Sequence, residues 1–147
     1  MASRMGNLKL KKEIGQGLTE FALVLPILLI VAIGLFDIGR AFYTLIVVTN
    51  ASREGARYLA LHPDDGEDDS GQFNDTKAAV VNEASNSFIT LNTSGVVVSG
   101  CVDADTVPGC DTGIRIQVQV SHNYRPLFAG LFPATMNLTR ATQMMVP

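Results

Sequence analysis

Sixteen consecutive residues without a charge, Phe21 to Phe36, are the feature that most narrows what this chain can become. A helix that crosses a bilayer needs roughly 20 predominantly apolar residues, about 30 Å at 1.5 Å each. Residues 18–41 meet that need only if Glu20, Asp37 and Arg40 lie at the boundaries; past Arg40 the apolar character resumes and runs to Val48. Arg4, Lys9, Lys11 and Lys12 precede the run, whereas residues 16–147 hold seven basic and thirteen acidic side chains. That asymmetry predicts a cytoplasmic N-terminus and an external body. The formal net charge of −3 and the acidic body set nucleic-acid binding aside, because that function wants a basic face.

Three readings of the apolar segment compete: a cleaved secretory signal, a plain single-pass anchor and a prepilin-type segment. The first has a basic start, but "GLFDIGRAF" stands at its outer end where a small-x-small cleavage site would be needed. The second leaves Glu20 to be explained, since a charge in hydrocarbon costs a few kcal/mol or more. An interfacial marker is the plain alternative for Glu20. Pro26 interrupts the donor ladder at the carbonyl of Ala22 and predicts a kink or local unwinding. Gly34 and Gly39 offer small surfaces for close helix approach.

The stretch Gly15, "QGLT", Glu20, Phe21 behind a short basic leader resembles the class III prepilin signal. The likeness continues through a Pro in the helix, D-x-G-R-x-x-Y and N-A-x-R-E-G-A-R. Pro26, Asp37, Gly39, Arg40, Tyr43, Asn50, Ala51, Arg53, Glu54, Gly55, Ala56 and Arg57 satisfy this pattern. Over 15–61 the chain is similar to the TadE-like family, minor pilins and pseudopilins of tight-adherence (Flp-type) pilus systems, and the tail 113–146 resembles that family less closely. The resemblance implies a leader, 1–15, that a prepilin peptidase removes between Gly15 and Gln16. It implies a retained helix, 16–61, whose membrane segment is about 18–41, and an extracytoplasmic head, 62–147. Localisation would run from the bacterial inner membrane to a surface filament, where the subunit would take part in pilus assembly and cell adhesion. The implied partners are the peptidase, the membrane, other pilin subunits and the assembly machinery, with self-association open.

The resemblance also gives Glu20 a role in assembly register, facing the new amino terminus of a neighbouring subunit. Two opposite charges about 4 Å apart in an effective dielectric of about 20 attract by roughly 4 kcal/mol before desolvation is subtracted. Cyclisation of Gln16 would remove that positive charge, and whether its amine is methylated is left open by the sequence. The alternative is an uncleaved, single-pass surface scaffold that never polymerises.

Beyond the membrane, Leu45, Val48, Ser52, Ala56 and Leu59 recur at helical steps and predict a stripe that holds the head. Asn50, Arg53, Glu54 and Arg57 fall mostly on the other side, either wet or facing a partner, with Glu54 in reach of Arg57. His62-Pro63 predicts the helix end. "PDDGEDDSGQ", 63–72, reads as a solvated acidic loop; counted from Asp65, it puts Ser70 and Thr76 where an EF-hand needs Gly and Glu. Asn74 or Asp75 is expected to cap a second helix with Val80, Ala84, Phe88 and Leu91 on one face. "GVVVSGC" reads as a buried strand, 114–121 as a strand with Ile114, Ile116, Val118 and Val120 inward, and 135–145 as a third. The expected fold is therefore α+β and pilin-like: a long N-terminal helix, a second helix and a three-stranded antiparallel sheet.

Cys101 and Cys110 bracket "VDADTVPG", and an oxidising external compartment favours a disulfide, worth roughly 2.7 kcal/mol for a loop of about ten residues. A metal site at these cysteines would need two more ligands, and neither His62 nor His122 has the spacing. Four Asn-x-Ser/Thr matches, at Asn50, Asn74, Asn92 and Asn137, read as chance in a Ser/Thr-rich chain. The sequence contains no nucleophile elbow, P-loop, paired catalytic carboxylates or H-E-x-x-H, so no catalysis, metal or cofactor is expected.

Overall fold

The computed structural model describes residues 6–65, 72–100, 110, 112–127 and 135–147, with side chains from residue 15 onward. Helix α1 spans Gly6–Leu61 and helix α2 spans Asn74–Asn86. A 3₁₀ turn, Thr93–Gly95, leads into β1 (Val96–Ser99), followed by β2 (Arg115–Tyr124) and β3 (Met136–Met145). The strands form an antiparallel sheet in the order β1-β2-β3. The fold is thus α+β with a long N-terminal helix, as the sequence predicts. Two compact units divide the chain, Met1–Gly39 and Arg40–Pro147.

In the first unit the helix is unbroken through Pro26. The side chains from Leu18 to Ile38 are largely exposed, including Phe21, Leu29 and Phe36. The helix is long and apolar enough to cross a membrane by length and composition. An apolar surface of that extent is unfavourable in water at about 25 cal/mol per Å² and stable in hydrocarbon, where helical hydrogen bonding also satisfies the backbone.

The second unit holds the core. Val47, Val48, Ala51, Ala56 and Leu59 of α1 pack with Val80 and Ala84 of α2 and with Ile116, Val118 and Val120 of β2. The buried face of α1 includes the expected stripe and is wider, taking in Thr44, Val47, Ala51 and Gly55. Ser52 crosses the helix–sheet seam to Thr142, hydroxyl to hydroxyl at 2.8 Å, so a buried polar group is satisfied. The helix ends at Leu61: His62 N–H still reaches the Tyr58 carbonyl at 3.0 Å, and Pro63 stops the ladder. In β2 the inward set is Ile116, Val118 and Val120, with Ile114 half-buried ahead of the strand.

Three expectations need correction. The N-terminus of α2 is not capped by Asn74 or Asp75; Phe73 precedes it in a left-handed conformation without a side-chain cap. Asp65, four residues beyond the end of α1, does the capping, accepting from the amides of Thr76 (2.9 Å) and Asp75 (3.3 Å) and from the Thr76 hydroxyl. A carboxylate there also complements the helix dipole, so Asp65 is buried structure and not solvated loop. Asp64 is exposed, and 66–71 lie outside the described residues. Next, β1 is not a buried strand: it is an edge, with Val96 buried, Val98 half-buried and Val97 exposed. Finally, Phe88 is not on the inward face of α2, because the helix stops at Asn86 and the chain reverses before Phe88 can follow Ala84 inward.

Candidate functional site

The stretch from Gly15 to Glu20 lies on helical turns of α1. Gly15 and Gln16 are exposed and lie within α1. The Thr19 hydroxyl donates back to the Gln16 carbonyl at 2.7 Å and approaches that of Gly15 at 3.4 Å. Such back-bonding slightly weakens a helix, and Gly15 and Gly17 each cost about 1 kcal/mol relative to Ala. The bond after Gly15 therefore sits in a locally weakened turn of the helix. Glu20 is exposed one turn on, and Gln16 Nε2 donates to its Oε1 at 3.3 Å. Gly39 and Gly34 leave open space around any added Cβ, so close approach by a second helix is sterically free there.

The later motif positions separate by task. Asp37 is 3% exposed. Arg40 is half-buried, its guanidinium carbon 5.6 Å from the centroid of the Tyr124 ring, within cation–π range. Tyr43 leaves its ring exposed while its hydroxyl donates to the Ser87 carbonyl at 3.1 Å, tying α1 to the end of α2. Ala51, Gly55 and Ala56 are seam residues: a Cβ on Gly55 would collide with Val80 and press on Val118 at 3.1 Å. Asn50, Arg53 and Arg57 are exposed, and Arg57 pairs with half-buried Glu54 at 3.4 Å. One half of N-A-x-R-E-G-A-R is thus packing, and the other half is a solvent-facing polar surface.

Two open grooves flank this helix within the second unit. One, about 260 Å³, is lined by Leu45, Ile46, Thr49, Asn50, Arg53 and Arg140. The other, about 300 Å³, has Arg40 and Thr44 on one wall, Phe88 and Ile89 on another, and His122 and Arg125 on a third. Burial holds the His122 imidazole below its ordinary pKa. Burial, then the carboxylates of Asp75, Asp65 and Asp64, push the Tyr58 phenol up. Among the described residues no three His, Cys, Asp or Glu side chains gather in a way that could hold a metal. Cys110 is buried and its N–H donates to the Pro63 carbonyl at 3.0 Å; Cys101 lies outside the described residues.

Sequence reasoning missed Asp65 and the orientation of Phe88. The only signal for the first was an acid followed at eleven residues by Thr76 in the first turn of α2; the second had none, because no helix-stopping Gly stands between Asn86 and Leu91.

Residues 15–57 match the model of a family described as TadE-like protein, which is pilus-related and structural in character. The match covers the turn from Gly15 to Glu20, the apolar run and the motif helix as far as Arg57, and it does not extend to the tail 113–146. No curated protein and no solved structure matches the chain.

Proposed function

With the TadE-like segment 15–57 as premise, we propose that this protein is a pilin-like structural subunit of a Tad (Flp-type) pilus, made as a membrane-held precursor. A prepilin peptidase cuts between Gly15 and Gln16 on the cytoplasmic side, 16–61 remains as the membrane-crossing and assembly helix, and 62–147 forms the external head. The observation that carries the reading is the coincidence of a TadE-like pattern with a helix apolar enough to span a bilayer and lined with exposed large side chains. Such a surface needs hydrocarbon before assembly and neighbouring helices after it.

On this reading Glu20 sets the register between subunits. Before cleavage its carboxylate accepts from Gln16; afterwards the Gln16 ammonium of a neighbour offers a stronger, charge-assisted partner. N-terminal sequencing of protein from cells containing the peptidase is expected to begin at Gln16. Glu20→Ala is expected to be cleaved normally yet to drop out of filaments, and normal incorporation would remove the register role. The Gln16–Glu20 contact also favours a second reading, the uncleaved surface scaffold, because it gives Glu20 a partner inside one chain. A native protein that retains Met1 or Ala2 selects that scaffold. In either case we assign Cys101 and Cys110 to one disulfide; alkylation of two thiols without prior reduction excludes it.

A further inference from the structure

Phe88 is 98% exposed, although it is an aromatic side chain in a chain with a well-formed core. Its backbone is left-handed, with φ at 59°, where a bulky residue is a genuine outlier. The cause is local. Phe88 N–H donates to the Ser85 carbonyl at 3.0 Å and Ile89 N–H to that of Ala84 at 3.2 Å, the paired bonds of a Schellman turn. This turn normally carries Gly at the left-handed position. Here it folds Ile89 onto the core and rotates Phe88 outward. The fold therefore bears two costs at one residue, an unfavourable backbone and a bare ring, and among the described residues nothing offsets either.

The location supplies the reason. Phe88 shares its groove with Arg40, Thr44, His122 and Arg125, all within the Arg40–Pro147 unit. Arg40 is also where the apolar run 18–41 ends, so the groove lies at the level at which the chain leaves the bilayer on the proposed reading. Tyr43 leaves its ring exposed and reaches with its hydroxyl to the Ser87 carbonyl, the residue before Phe88. Arg125 is exposed and has no side-chain partner among the described residues. An apolar ring beside arginines at such a level suits a membrane surface, the ring entering the headgroup–acyl boundary and the guanidinium on phosphate.

We propose that Phe88 and Arg125 seat the head on the outer surface of the membrane, Phe88 entering the acyl–headgroup boundary and Arg125 holding a lipid phosphate. The occupant of the groove is the phospholipid surface. This rests on the membrane-spanning reading of 18–41, and it adds a second, releasable hold on the precursor besides the helix itself.

The chain has no tryptophan, so single tryptophans report without background. Full-length Leu29→Trp, Phe88→Trp and Leu61→Trp would be placed in phosphatidylcholine vesicles, with and without phosphatidylglycerol, and probed with acyl-brominated lipid. Leu61 is exposed and lies about 30 Å along the helix from Arg40, so it serves as the water-side reference. The expected result is strong quenching at Leu29→Trp, partial quenching with a blue shift at Phe88→Trp, and neither at Leu61→Trp. Adding Arg125→Gln to Phe88→Trp is expected to reduce the shift in the phosphatidylglycerol vesicles. Quenching at Leu29→Trp with a Phe88→Trp spectrum like that of Leu61→Trp overturns the seating and leaves the span intact. No quenching at Leu29→Trp overturns the span and the seating together. An Arg125→Gln spectrum unchanged from its parent overturns the phosphate contact.

Discussion

At Gly55 the seam between α1, α2 and β2 leaves no room for a methyl group. Replacing it with Ala gains about 1 kcal/mol of helix propensity, but overpacking costs typically 1–3 kcal/mol. The obstructing atom belongs to Val80, a β-branched side chain in a helix with one strongly preferred rotamer, so it cannot swing aside. Gly55→Ala is therefore expected to lower the urea midpoint of the protein in detergent micelles. Phe88 has the opposite relation to its neighbours, an open surround and a backbone suited to Gly. Phe88→Gly is expected to raise the stability of the head by about 0.5–1 kcal/mol, read as a higher midpoint in the same titration. Stabilisation by removing an aromatic side chain would separate this residue from any core position.

Among the elements, α2 depends on its neighbour for a start. Asp65 supplies the acceptor that the helix's own first residues do not. Asp65→Ala is expected to cost about 0.5–2 kcal/mol, with faster hydrogen exchange at the Asp75 and Thr76 amides as the local signature. Periodicity located the upper part of α1 and β2, because burial of one face imposes a repeat that the residues must follow: Val48, Ser52, Ala56 and Leu59 in the helix, Ile116, Val118 and Val120 in the strand; the lower part of α1 showed as an uncharged apolar run. The cap and the Phe88 turn were illegible for a different reason. Each depends on where the chain has already been placed by packing, and a residue ten or more positions away, or a turn lacking its usual Gly, leaves no local mark. The valines of β1 misled in the same way, since an apolar run does not say whether a strand has one neighbour or two. For the candidate site, the order of residues from Gly15 to Arg57 was legible, and its division into seam and solvent face followed only from the head.

For the molecule as a whole, acid is expected to loosen the head. Burial keeps the folded-state pKa of His122 below the ordinary 6.5. As pH falls, the unfolded chain takes up this proton first, so unfolding gains free energy. The contribution is absent above about pH 6.5, grows as pH drops below it, and levels off once the folded pKa is passed. His122→Asn is expected to flatten the midpoint-versus-pH curve over that window, and a slope equal to that of the parent chain would assign the dependence to other groups.

The missing side chain at Gly55 also bears on how this subunit would carry load. With Val80 and Val118 closing on the bare backbone from two sides, the notch works as a keyway: sliding by one residue would drive Glu54 or Ala56 into a slot that accepts neither. A tug along α1 from Arg40 upward is thus passed to β2, the strand hydrogen-bonded on both flanks, and helix and sheet would give way together or hold together.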